Sequence, residues 1–167
     1  MGLDAVVFCD CVEKGRLRIP HPWPHLLYIF KNGRPEIRSQ NEDKIDLHDD
    51  WMEGDPCKHS ELMVAGCYLG NIAFIDFIRE AVCRVAKVPA RDFPVVWNKV
   101  IYNGCHTCDY LKLPQVRKLK EEVRRLRAID FAEAGLKARD VKDVKDFLAN
   151  LAKLVKASLR IQKPIAF

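Results

Sequence analysis

LMVAGCYLGNIAFIDFIREAVCRVA, residues 62–86, is the stretch that decides the fold, because its apolar pattern changes from that of a strand to that of a helix. The run 62–68 is apolar enough for either element, but the Gly70-Asn71 pair favours a strand that ends at a helix N-cap. After Asn71 the apolar residues recur at helical spacing, at Ile72, Ile75, Ile78, Ala81, Val82 and Val85. The sequence predicts a strand followed by a helix over about 71–86.

Further strands are predicted on the N-terminal side of this stretch. Residues 5–9 are rich in β-branched and aromatic side chains and predict a buried strand that carries Asp10 and Cys11 at its end. Residues 26–30 predict a second strand, which the Asn32-Gly33 turn joins to a partner at 36–38. A Pro-rich loop is expected at 15–24 and an acidic loop at 39–58.

The C-terminal part predicts a short edge strand at 110–113 and two helices. Pro114 suits the first turn of one helix, and Asp140 is expected to cap the other, which Pro164 ends. Together with the preceding elements, this predicts a single α+β domain over residues 1–167. It should contain a small, mainly antiparallel sheet packed with about three principal helices.

Composition limits the class of protein. A chain of 167 residues with 49% hydrophobic and 31% charged residues can fold without a metal or a disulfide. It contains no apolar run of the roughly 18 residues that a membrane-spanning helix needs. Seven cysteines without an export signal predict reduced thiols, so we expect a cytoplasmic protein with no membrane partner.

Charge is distributed unevenly along the chain. Residues 112–160 are basic, but acidic residues interrupt them and exposed aromatic residues for base stacking are lacking, so nucleic acid is not the expected partner. Residues 42–55 are strongly acidic, with Lys44 as their one cation. This acidic stretch could bind a divalent cation or lie in solvent.

Cysteine, histidine and aspartate concentrate in three short clusters, at residues 9–11, 48–61 and 104–109. Thiolate and imidazole are the ligands that zinc prefers, and two cysteines separated by two residues can reach one ion. Cys57, His59, Cys105, His106 and Cys108 are therefore candidate zinc ligands, although the fold requires no cofactor. The alternative is that these are partly buried cysteines and hydrogen-bonded histidines, because the spacing of Cys57 and His59 is unusual for a zinc site.

Enzymatic alternatives use the same residues. His48-Asp49 resembles the metal-binding dipeptide of helical phosphohydrolases, although here it falls in a predicted loop. Cys105 and Cys108 have the spacing of a redox pair, and either could be a nucleophile with a histidine as base. A metal-dependent hydrolase using His48, Asp49, Cys57, His59, Cys105, His106 and Cys108 is the alternative function.

The order of several segments carries a family resemblance. Gly66-Cys67-Tyr68 leading into 74–79, then 93–96, 105–109 and 119–123, resembles small bacterial immunity proteins of polymorphic toxin systems, and the opening Met-Gly-Leu-Asp resembles uncharacterised bacterial proteins. Immunity proteins are non-enzymatic partners that neutralise a toxin, so the resemblance implies protein binding. The contact residues it implies are Asp49, Asp50, Trp51, His59, His106 and Asp109.

Overall fold

Six strands are present in the computed structural model, which describes residues 2–101 and 109–167. They are β1 (Gly2–Phe8), β2 (Leu27–Ile29), β3 (Pro35–Ile37), β4 (Met63–Asn71), β5 (Tyr110–Leu111) and β6 (Ile165–Ala166). Four of them form an antiparallel sheet in the order β4-β1-β6-β5, and β2 and β3 form a separate hairpin. With the helices described next, this confirms the predicted α+β fold.

In the described parts of the chain, four α-helices accompany the strands: α1 (Glu42–Glu53), α2 (Ile72–Arg79), α3 (Leu113–Arg127) and α4 (Ala138–Ile161). As predicted, Asn71 is the N-cap of α2, and its side chain accepts a hydrogen bond from the Phe74 amide at 2.8 Å. A π-helical segment, Glu80–Val85, continues α2. The last helix begins two residues before Asp140, which therefore lies in the first turn. A negative charge in this turn interacts favourably with the helix dipole.

Helix α1 corrects the sequence interpretation, because the predicted acidic loop at 39–58 was wrong over residues 42–53. Asn41 caps this helix by accepting a hydrogen bond from the Lys44 amide at 3.0 Å. His48, Trp51 and Met52 form its buried side at helical spacing. The acidic residues concealed this pattern because they occupy the opposite, exposed side of the helix.

Two hydrophobic cores hold these elements together. The larger core contains the inner side of β1, with Leu3, Ala5 and Val7, and buried residues of α2, α3 and α4. The smaller core lies where β1 ends, and its members are Phe8, Cys9, Cys11, Trp51, Met52, Cys57, Leu62 and Ala166. Three of the five cysteines that the structure describes thus meet in the smaller core.

Candidate metal centre

Four side chains converge beside the end of β1. Cys9 and Cys11 follow the strand directly, and Cys57 and His59 lie in the segment between α1 and β4. One ligand atom from each residue lies within 4.8 Å of the ligand atoms of the other three. This cluster, called the Cys3His cluster below, could hold a metal ion such as zinc.

Three of the six distances between ligand atoms of the cluster have the size of the edges of a zinc tetrahedron. The sulfurs of Cys9 and Cys57 are 3.8 Å apart, and Nδ1 of His59 lies 3.5 Å from the sulfurs of Cys11 and Cys57. Zn–S bonds of about 2.3 Å and Zn–N bonds of about 2.0–2.1 Å at tetrahedral angles give edges of about 3.8 Å and about 3.5 Å. One ion can therefore reach these atoms without a large rearrangement of the side chains.

The local backbone directs the ligands inward. One residue separates the members of each pair, and the chain curves there, with a bend at Asp10 and a second bend over 57–59, so that both members face the same cluster. The Cys11 amide donates to the sulfur of Cys9 at 3.4 Å, and the His59 amide donates to the sulfur of Cys57 at 3.3 Å. Hydrogen bonds of this kind favour the charged form of the accepting group, which for cysteine is the metal-binding thiolate.

Burial shifts the pKa of three of the four ligands. Cys9, Cys11 and Cys57 are almost completely buried and His59 is half-buried. Burial raises the pKa of the Cys9 and Cys11 thiols and lowers the pKa of His59, and the positive charges of Lys58 and Arg16 lower the His59 value further. The neutral imidazole is ready to bind a metal, whereas a metal ion would have to displace the thiol protons.

Cations surround the cluster and suit a site rich in thiolate. Asp10 lies between two of the ligand residues, but its carboxylate is bound by Lys14 and Arg16. The hydrogen bond from Lys14 lowers the pKa of Asp10, and the charge of Arg16 acts in the same direction. Three thiolates around Zn²⁺ leave one net negative charge, which Arg16 and Lys58 would offset.

The predicted metal ligands are found only in part. Cys57 and His59 belong to the cluster, whereas Cys105, His106 and Cys108 lie outside the described residues. The sequence interpretation omitted Cys9 and Cys11 as ligands. Their one-residue spacing, which matches that of Cys57 and His59, was the signal that could have paired them.

The residues predicted to contact a partner differ in their exposure to solvent. Asp49 and Asp50 are exposed on α1, and Asp109 is exposed before β5. Trp51 is buried, and its indole nitrogen donates to the carbonyl of Ile19 at 3.0 Å. His106 lies outside the described residues.

His48 belongs to a separate buried pair of histidines. The Trp23 amide donates to Nδ1 of His21 at 3.0 Å, so Nε2 of His21 carries the proton and donates to Nδ1 of His48 at 3.1 Å. Nε2 of His48 then donates to the carbonyl of Pro35 at 3.3 Å. Both rings are neutral in this chain of hydrogen bonds, and His48 does not join the exposed Asp49 in one site.

Every helix in the described parts of the chain is too short or too polar to span a lipid bilayer. Comparisons of the chain with protein-family models, with curated proteins and with solved structures find no match.

Proposed function

We propose that this chain is a zinc-binding protein that acts by binding another protein. The observation that carries the proposal is the convergence of four ligand atoms within 4.8 Å of one another, with three of their six distances equal to the edges of a zinc tetrahedron. Three soft sulfur ligands and one imidazole favour zinc over magnesium, calcium or manganese, which prefer oxygen ligands.

The ligand set supports a structural role for the metal. Structural zinc sites use four protein ligands, whereas catalytic sites keep one position for water or substrate. Cys9, Cys11, Cys57 and His59 supply all four ligands, so a water molecule at this ion would have no position. The alternative of a zinc hydrolase gains no support from this geometry.

Zinc at this place would fix the position of α1. The sulfurs of Cys9 and Cys57 lie 48 residues apart in sequence, and the intervening segment contains the β2–β3 hairpin and α1. The smaller core that holds this segment has only eight buried hydrophobic residues. A metal ion that joins both ends of the segment would restrict its unfolded conformations.

Helix α1 supports the protein-binding part of the proposal. Six exposed carboxylates cover its outer side, from Glu42, Asp43, Asp46, Asp49, Asp50 and Glu53. Arg34 pairs with Asp49 at 3.3 Å. This surface suits a partner with a basic surface, because complementary charge accelerates association and excludes other partners. From the resemblance to immunity proteins, we propose a toxin as that partner.

Metal content of the untagged protein tests the zinc site. We expect about one zinc ion per chain, bound by wild-type protein and lost in Cys9→Ser and in Cys57→Ser. Cys83→Ser is the matched control, because Cys83 is a partly buried cysteine of the larger core and should leave the zinc content unchanged. Wild-type protein without a transition metal after purification in zinc-containing buffer would overturn the proposal.

A further inference from the structure

A groove of about 830 Å³ lies between α3 and α4, on a part of the surface that contains none of the four metal ligands. Its floor is apolar and includes Val123 from α3 and Val155 and Leu159 from α4. Val123 and Val155 are buried side chains of the larger core, and Leu159 is half-buried. The groove therefore exposes an apolar strip between two helices.

Positive charges line both walls of the groove. Five exposed cationic side chains take part, Lys120, Arg124 and Arg127 from α3 and Lys156 and Arg160 from α4. No carboxylate is among the lining residues that the structure describes. Arg124 pairs with Glu121 at 3.0 Å, whereas the other four cations form no ion pair with any described residue. The walls thus carry positive charge that the chain itself leaves largely uncompensated.

We propose that this groove binds an acidic amphipathic helix of a partner protein. Helix-in-groove recognition places an apolar stripe at positions i, i+3 or i+4, and i+7 into an apolar channel, with polar residues on either side. The lining residues span 120–127 of α3, its C-cap Ala128, and 152–160 of α4, so the channel is about 12 Å long, or roughly two helical turns. Acidic residues beside the stripe would meet cations on both walls.

The arrangement of the cations favours a helix over an acyl anion. A fatty acid or a phospholipid headgroup carries its charge at one end. Here Lys120, Arg124 and Arg127 follow one another along the whole α3 wall, and Lys156 and Arg160 do so along α4. Charge distributed in this way matches several carboxylates spaced along a helix.

Two other occupants fit less well. Nucleic acid binding uses aromatic side chains for stacking or access to bases and phosphates, and the lining contains no aromatic residue among those described, while its floor is apolar. The acidic helix α1 of a second copy has the right charge, but its exposed apolar residues, Ile45 and Leu47, are two positions apart and lie on different sides of the helix, so they form no apolar stripe. The partner helix must combine acidic residues with an apolar stripe. We therefore expect it to belong to a different protein.

Selection from a displayed library of random helical peptides about 16 residues long tests this proposal with the full-length, zinc-loaded protein. We expect the enriched peptides to be acidic, with apolar residues at i, i+3 or i+4, and i+7. Charge reversal by the double variant Lys120→Glu/Lys156→Glu should lower the affinity for an enriched peptide about tenfold, as measured by fluorescence anisotropy. Arg160 is left unchanged because its charge also acts on the metal ligand His59.

The matched control is Lys118→Glu/Lys145→Glu, which reverses two exposed cations of the same helices outside the groove and should leave the affinity unchanged. Enrichment of basic peptides, no enrichment, or equal loss in both double variants would overturn the proposal. So would groove-dependent binding of decanoate or of a duplex DNA oligonucleotide when no peptide binds. Zinc content measured on the same samples separates a failure of the metal site from a failure of the groove.

Discussion

The sulfurs of Cys9 and Cys57 lie 3.8 Å apart although the two residues are separated by 48 positions in the sequence. One cysteine follows the central strand β1, and the other lies after the helix that the acidic stretch forms. A metal ion between them would therefore connect the sheet to the segment that presents α1.

Removal of zinc should lower the thermal stability of the protein. Binding to the folded state alone contributes about 4 kcal/mol when free zinc exceeds its dissociation constant a thousandfold. For a chain of this size, we expect a strong chelator to lower Tm by roughly 10 °C in differential scanning calorimetry. The chelator should not lower the Tm of Cys57→Ser any further. An unchanged Tm in wild-type protein that has demonstrably lost its zinc would contradict a structural role for the metal.

Substitution of Cys108 discriminates between the two ligand sets. The composite site predicted from the sequence contains Cys108, whereas the Cys3His cluster does not. We expect Cys108→Ala to retain zinc and Cys11→Ser to lose it, as measured by inductively coupled plasma mass spectrometry. Loss of zinc from Cys108→Ala with retention in Cys11→Ser would restore the composite site.

Buried His21 should make stability decrease in acid. Burial lowers the pKa of His21, so the folded protein disfavours the proton that the unfolded chain accepts near its usual pKa of about 6.5. The stabilisation is complete above that value and declines as the pH falls from it toward the lower pKa of the folded state.

Urea unfolding of zinc-saturated protein between pH 7.5 and 5 measures this effect. His21→Gln should reduce the dependence of the unfolding free energy on pH, because it removes the titrating group. His25 is exposed, so His25→Gln should keep the wild-type dependence. Equal pH dependence in His21→Gln and wild type would show that His21 does not contribute.

Glu122 should be essential for the stability of the larger core. Its buried carboxylate accepts hydrogen bonds from the amides of Val95, at 3.0 Å, and Val96, at 2.8 Å, where a π-helical segment begins. Glu122→Ala would leave these amides without their partner, at a cost of about 3 kcal/mol in unfolding free energy. The neighbouring Glu121 pairs with Arg124 at the surface, so Glu121→Ala should cost less than about 1 kcal/mol.

The fold was predictable where apolar residues repeat with a clear period. Residues 5–9 and 71–86 show the spacing of a strand and of a helix, and the structure contains β1 and α2 there. Helix α1 was missed because its apolar side is narrow, with His48 and Trp51 among seven acidic residues of segment 42–55. Its Asn41 cap, and the acidic residues in its first turn, were the local signals of a helix.

The metal centre was predictable only in its chemistry. Cysteine and histidine indicated zinc, but Cys9 lies in an apolar strand context, where a buried cysteine is ordinary. Nothing in the local sequence shows that the end of β1 approaches the segment after α1. That approach depends on the long-range pairing of β1 with β4, which places residue 63 opposite Phe8.

Strand β6 occupies the middle of the sheet, where Ala166 is paired with Val6 of β1 and Ile165 with Leu111 of β5. The ribosome synthesises this strand long after residues 9–59, which include all four metal ligands. During translation, β1 and β5 cannot join one sheet until residues 165–166, which pair with both strands, have been synthesised. We expect zinc binding to order the segment from Cys9 to His59 during this interval, before β6 pairs with the edge of β1.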